Sequence, residues 1–174
     1  MSSVTPPRQA VIGRLRYLWT FELFDSFFLP AVAALSLRST GRPLGPIFWV
    51  GALLCSWLLW QGAAYWFAKL RALRSREPFR PRLLAVYAAL QRANWALLAL
   101  APLAWVGAAL LGAPPRLDLG GVVGILLYLL AVLEQINYYH WQLMYDNRAD
   151  LAYLREHRRL KRGAIARELA TGGA

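Results

Sequence analysis

Cysteine, histidine and acidic side chains are scarce in this sequence of 174 residues. The single cysteine, Cys55, excludes an intrachain disulfide and any metal site built from several cysteines. The two histidines, His140 and His157, stand outside any Glu-x-x-His motif, which helical di-metal carboxylate sites use. A glycine-rich phosphate loop and a Gly-x-Ser-x-Gly nucleophile motif are also missing. We therefore expect no metal and no cofactor, and the sequence favours a role other than catalysis.

Acidic residues number 9 against 20 lysines and arginines, which gives a formal net charge of +11. In a soluble protein this excess would suggest nucleic-acid binding. Here the basic residues lie between and after long apolar runs, as they do in membrane proteins whose cytoplasmic segments face anionic lipid. We therefore predict that the partners are the lipid bilayer and anionic lipid at the cytoplasmic face, with no nucleic acid.

Apolar residues are abundant, at 58% of the chain, and they are arranged in blocks of about 20. Each block matches the ~30 Å hydrocarbon core of a bilayer. We predict an all-α polytopic integral membrane protein, with a four-transmembrane-helix bundle in residues 16–146. A disordered cytoplasmic leader (1–15) precedes the bundle, and a basic cytoplasmic tail helix (147–174) follows it. The predicted spans are residues 17–37, 46–68, 83–111 and 119–144.

The orientation of the bundle follows from the distribution of lysine and arginine. Three of these residues precede the first span, six lie in the connector between spans two and three, and seven lie in the tail. The two remaining links carry three together, and Arg92 lies inside a span. We therefore predict insertion in the cell membrane, the inner membrane of a bacterium, with both termini cytoplasmic. The modestly amphipathic tail is expected either to be solvated or to lie on the membrane surface.

One polar stretch, from Glu134 to Gln142, ends the fourth apolar run. It brings a carboxylate, three amides and an imidazole into a predicted span, where such groups need partners. At about 1.5 Å of rise per residue, every span places polar groups between the cytoplasmic interface and the midplane. We therefore predict a polar cavity in the cytoplasmic half of the bundle. Its candidate residues are Glu22, Asp25, Arg92, Asn94, Glu134, Asn137, Tyr138, His140 and Trp141.

Helical spacing predicts which of these side chains face one another. Glu22 and Asp25 are three residues apart and share a face of span one. Arg92 lies near mid-depth and keeps its charge, so we predict an ion pair with Asp25 or Glu134. Span four carries one continuous polar and aromatic stripe, formed by Glu134, Asn137, Tyr138, Trp141 and Tyr145.

Several functions remain open for such a cavity. Buried carboxylates beside aromatic side chains suit a small proton-coupled transporter or a ligand-binding membrane protein. The alternatives are a non-catalytic accessory or lipid-binding subunit of a membrane complex, and a lipid-modifying enzyme that uses Glu134 or His140 as base. Assembly as a homodimer or a larger complex also stays open. For three of the amides we favour a structural role that holds helices together: Gln61, Gln91 and Gln142.

Overall fold

The computed structural model of the protein describes residues 8–77, 79, 81–112, 114 and 116–171. The first four helices of this described part are long and apolar enough to cross a membrane, and no strand is found in it. The predicted fold class, an all-α bundle of four transmembrane helices, is confirmed. The described residues form α1 (Arg8–Ser39), α2 (Pro46–Ser75), α3 (Pro81–Leu110), α4 (Leu119–Tyr139), α5 (Arg148–His157) and α6 (Ala164–Thr171).

Helix α2 is the centre of the bundle. It begins with Pro46, a residue suited to the first turn of a helix, and it packs along its length against α1 and α4. Its contact with α4 is a close approach of backbones: a Cβ on Gly51 would lie 1.9 Å from the carbonyl oxygen of Gly124. Small residues permit such approaches between membrane helices.

Helix α3 lies at the periphery of the bundle. Its buried side chains are confined to one stripe, formed by Tyr87, Asn94, Leu98 and Ala101. Those spacings of seven, four and three residues mark a single helical face. The other faces of α3 are largely exposed to the surroundings of the bundle, which in a membrane would be lipid.

One end of the bundle gathers most of the basic segments, and we call it the basic end. There Arg8, at the start of α1, donates to the carbonyl of Leu73 near the end of α2 at 2.9 Å. Arg14 of α1 forms an ion pair with Asp146, which follows α4, at 2.5 Å. The leader, the connector and the tail therefore meet at one end, as the charge distribution predicts. That this end faces the cytoplasm stays a prediction.

The helix boundaries differ from the predicted ones at both ends of the chain. Residues 8–15 were expected to be disordered, yet α1 begins at Arg8, while residues 1–7 lie outside the described part. Span four was expected to reach Met144, but α4 ends at Tyr139. The chain leaves the helix there because residues 140–142 pair with a segment of the tail. Helix α2 extends beyond its predicted end, to Ser75.

The tail forms two short helices rather than the single one expected from residue 147 onward. Between α5 and α6 the chain turns back, and Arg162 pairs with Trp141 in an antiparallel bridge. Helix α6 then inserts Ile165, which is 0% exposed, among four tyrosines of α2, α3 and α4. Its Glu168 forms an ion pair with Lys69 of α2. The expectation of a solvated or membrane-surface tail is therefore wrong for α6, because its apolar face is covered by the bundle.

Candidate functional site

Glu22 and Glu134, two of the predicted carboxylates, approach each other inside the bundle from α1 and α4. Oε1 of Glu22 accepts a hydrogen bond from Nε1 of Trp66, on α2, at 2.8 Å. Oε2 of Glu134 accepts one from Nδ2 of Asn137, one turn along α4, at 3.2 Å. Asp25 lies one turn beyond Glu22 on α1, and both Asp25 and Glu134 act electrostatically on Glu22. We call these three carboxylates, together with Tyr138, the acidic site.

Tyr138 connects the two glutamates of the acidic site. Its side chain is 1% exposed and interacts with both Glu22 and Glu134, but its hydroxyl completes no hydrogen bond of good geometry within the described residues. Oε2 of Glu22 is likewise buried without a hydrogen-bond partner there. Buried polar groups normally have a partner, since leaving one unpaired costs about 1–3 kcal/mol. The acidic site therefore has unused hydrogen-bonding capacity at two adjacent atoms.

A glycine of α2 makes room for these two atoms. A Cβ on Gly62 would lie 2.1 Å from the hydroxyl of Tyr138 and 2.2 Å from Oε2 of Glu22. Both distances are shorter than any ordinary van der Waals contact, so the polar ends of the two side chains occupy the space that a larger residue 62 would fill. The acidic site is thus built directly against the backbone of the central helix.

The acidic site contains three carboxylates and no cation. In the part of the chain that the structure describes, Glu22, Asp25 and Glu134 take part in no ion pair. The ion pairs formed there instead lie at the basic end, and they are Arg14–Asp146, Lys69–Glu168 and Lys161–Asp150. Negative charge at this depth is therefore uncompensated unless a proton or another cation is bound.

A vestibule of about 240 Å³ leads from the basic end to Glu22 and Tyr138 of the acidic site, while Asp25 and Glu134 do not line it. Its inner end is lined by Glu22, Trp66 and Tyr138. Its outer end is lined by residues of α1, α5 and α6, among them Arg14, Asp150 and Arg167. Helix α6 therefore forms part of the vestibule wall, and the acidic site is reached from the end of the bundle at which the tail docks.

Asp150, at the outer end of this vestibule, is held as a carboxylate. Burial alone would raise its pKa, but hydrogen bonds from Lys161 (2.6 Å) and from the side chain of Asn147 (2.6 Å) outweigh burial and lower the pKa. Asp146 is paired with Arg14 in the same region. The acids at the outer end therefore already have basic partners, in contrast to those of the acidic site.

A second polar cluster, which we call the amide network, joins α2, α3 and α4. Gln61 and Asn94 exchange two hydrogen bonds of 2.9 and 3.1 Å, and Asn94 donates a further one to Gln135 at 3.0 Å. Tyr139 donates to Gln61 at 3.0 Å. Nε2 of Gln135 donates to the backbone carbonyl of Gln91 at 3.1 Å. This closed network fits the structural role favoured for Gln61, and it places Asn94, 0% exposed, away from the vestibule.

Arg92 does not join the carboxylates, and its predicted ion pair with Asp25 or Glu134 is wrong. Its side chain is exposed on α3 and forms no ion pair in the described part of the chain. The reason is helical geometry: Arg92 precedes the buried Asn94 by two residues, which is about 200° around the helix. An arginine on an outer face can extend its long side chain toward the membrane interface.

His140 and Trp141 also lie apart from the acidic site. His140 caps the C-terminal end of α4, and its Nε2 accepts a hydrogen bond from Nε1 of Trp95, on α3, at 3.1 Å. Trp141 is 49% exposed and lies beyond the helix, in the bridge with Arg162. The predicted stripe therefore holds only for Glu134, Asn137 and Tyr138, because α4 ends before Trp141 and Tyr145.

Sequence reasoning missed two contributors to the acidic site, Gly62 and Trp66. Tryptophans in a span are usually interfacial anchors, and Trp66 was one of several spread along α2. Two signals were available in the sequence. Gly62 and Trp66 are four residues apart and therefore share a face of the helix. A glycine inside an apolar span is also typical of close packing between helices. Gln135 and Tyr139 of the amide network were missed because they lie beside the stripe on which the prediction rested.

No protein-family model matches this chain, and comparison with characterised proteins and with solved structures finds no significant similarity. A function can therefore be argued only from the chemistry of the sites just described.

Proposed function

We propose that the protein binds a small cation at the acidic site in exchange for a proton, as a small proton-coupled transporter or a ligand-binding membrane protein would. The observation that carries this proposal is the group of three carboxylates, Glu22, Asp25 and Glu134, with no ion-pair partner among the described residues. Cation binding is the step that transport and simple ligand binding share.

Electrostatics supports an exchange of charge at this site. Several neighbouring carboxyl groups in a weakly polarisable interior cannot all stay ionised at low cost in free energy. The site without a bound cation is therefore expected to retain protons. A bound cation would stabilise the ionised carboxylates and release those protons. Tyr138 suits such an exchange because its hydroxyl can donate to a carboxylate or accept from a protonated one.

The size of the vestibule favours a small ligand. Its volume of about 240 Å³ is below the ~300–1,000 Å³ of pockets that take drug-sized molecules. Trp66 and Tyr138 line its inner end and would place aromatic rings beside a bound cation, which adds a favourable interaction. An inorganic cation or a compact organic ammonium fits both the charge and the space.

Proton release on cation binding tests the proposal. Protein purified in detergent, in weakly buffered solution, would receive Na⁺, tetramethylammonium or guanidinium while the pH is recorded. We expect at least one of these to release roughly one proton per protein. Glu22→Gln and Glu134→Gln should abolish the release, while Glu156→Gln, on the exposed helix α5, should leave it unchanged. Release that is absent with every cation, or equal in all variants, would contradict the proposal.

An accessory subunit of a membrane complex is the second candidate, and one observation favours it. Arg92 is exposed on α3 without an ion pair in the described chain, as it would be if a carboxylate of a partner protein lay opposite. The same titration separates the two functions, since a subunit that only docks onto a partner has no reason to release protons when these cations are added.

A further inference from the structure

A second cavity, of about 570 Å³, lies where the chain leaves α4. It is lined by Trp141, Tyr153, Arg159, Leu160 and Arg162, none of which lines the vestibule of the acidic site. We call it the arginine pocket. Its lining combines two guanidinium groups with two aromatic rings, whereas the acidic site offers carboxylates. The two sites therefore suit ligands of opposite charge.

The arginine pocket is held in shape by backbone pairing. The amide of Gln142 donates to the carbonyl of Lys161 at 2.9 Å, and the amide of Gly163 donates to the carbonyl of His140 at 2.9 Å. Residues directly opposite in such a pair place their side chains on the same side. Trp141 and Arg162 are opposite each other in this bridge, so the indole and the guanidinium are presented together.

The neighbouring charges do not neutralise the two arginines. Arg159 and Arg162 are both exposed and form no ion pair in the described part of the chain. The nearby Asp150 is occupied by Lys161, whose ammonium group also lies 4.6 Å from the ring centre of Tyr153. Two free guanidinium groups in one pocket are suited to a phosphate, which arginine binds through paired N–H donors.

The position of the pocket favours a lipid over a soluble phosphate. Trp141 follows the last transmembrane helix by two residues and is 49% exposed, and Leu160 is 40% exposed. Tryptophan in this position is typical of the membrane interface, where headgroup phosphates lie. Exposed apolar side chains beside two arginines match a molecule that carries both a phosphate and acyl chains.

We infer that the arginine pocket binds the phosphate headgroup of an anionic phospholipid. This inference is independent of the acidic site, because no residue is shared between the two linings. Basic pockets at the ends of transmembrane helices are suited to such headgroups. The bound lipid would lie against Trp141 and Leu160 and fix the tail segment to the membrane interface.

Lipid retention by the full-length protein tests the inference. Protein in detergent would be mixed with phosphatidylglycerol or phosphatidylcholine, and native mass spectrometry would count the lipids retained. We expect selective retention of phosphatidylglycerol, weakened about tenfold in the double variant Arg159→Gln/Arg162→Gln. The matched control Arg148→Gln/Arg155→Gln removes the same charge from exposed positions of α5 and should retain the lipid. Trp141→Ala, which changes no charge, should also weaken retention.

Three results would overturn the inference. Equal retention of phosphatidylcholine would show that the phosphatidylglycerol signal is unrelated to net headgroup charge. Equal losses in the pocket and control variants would show that only the total charge of the tail matters. Displacement of the lipid by millimolar inorganic phosphate, with equal thermal stabilisation by phosphate alone, would identify a soluble anion as the ligand.

Discussion

At position 62 the chain carries glycine because the space beside its Cα is already occupied. The hydroxyl of Tyr138 and a carboxylate oxygen of Glu22 lie there, and neither completes a hydrogen bond within the described residues. A methyl group at this point would push both polar ends away from α2. The geometry of the acidic site therefore depends on a residue that has no side chain of its own.

Gly62→Ala should impair the acidic site more than it impairs the fold. The added methyl group meets the ends of two flexible side chains, so we expect a loss of about 1–3 kcal/mol in the free energy of unfolding and loss of cation-induced proton release. Gly107→Ala on α3 is the control, since a Cβ there meets nothing within 4 Å. Thermal unfolding in detergent and the proton titration measure both effects. Unchanged proton release in Gly62→Ala would contradict this account of the site.

Part of the acidic site could be predicted from the sequence. An ionisable group buried in a span needs a partner, which points to Glu22 and Glu134, and Tyr138 shares the stripe of Glu134 on span four. The structure brings these three side chains together. The same argument points to Arg92, but Arg92 lies on another surface. The depth of a residue along a helix can be counted from the sequence, whereas the direction in which each face points depends on how the helices pack. The sequence of α3 gives little indication of which face packs against the bundle.

Among the elements, helix α6 is the one whose role the sequence indicates least. It has eight residues, too few to be stable alone, and it is helical because its apolar side is covered by the tyrosines of the bundle. Gly163 permits the approach: a Cβ there would lie 2.4 Å from the carbonyl oxygen of Tyr138. The packing of α6 against distant residues, rather than its own propensity, determines its position.

Ile165→Ala should release α6 from the bundle. Ile165 is 0% exposed, and truncating a buried isoleucine to alanine costs about 2–5 kcal/mol, which is large compared with the few contacts that hold so short a helix. We expect faster hydrogen exchange in α6 and easier cleavage by trypsin after Arg167. Leu151→Ala, on the exposed side of α5, should change neither. Unchanged exchange in Ile165→Ala would show that α6 is held by other contacts.

Across the whole molecule, α2 and α4 separate two polar clusters of different character. Gln61 and Tyr139 belong to the amide network, while their sequence neighbours Gly62 and Tyr138 border the acidic site. Adjacent residues in a helix point about 100° apart, so α2 and α4 each contribute residues to both clusters, on different faces of the helix. The side chains of the amide network form hydrogen bonds with one another and hold α3 in place, whereas the acidic site keeps unused hydrogen-bonding capacity.

The number of spans and the grouping of the basic segments were predictable because each depends on composition along the chain. Apolar length determines which segments can cross a bilayer, and the structure has four such helices in its described part. The return of the tail onto α4 was not predictable, since it depends on backbone pairing between residues 140–142 and 161–163. Pairing of this kind leaves no periodic pattern in the sequence.

The central claim is that the empty acidic site retains at least one proton, which a bound cation displaces. Infrared spectra of the purified protein at neutral pH test it most directly, because a protonated carboxyl group has a carbonyl band that a carboxylate lacks. We predict that this band is present without added cation, reduced in Glu22→Gln and unchanged in Glu156→Gln. The contradicting result is the absence of this band from the wild-type protein when no binding cation has been added. All the carboxyl groups of the site would then be ionised.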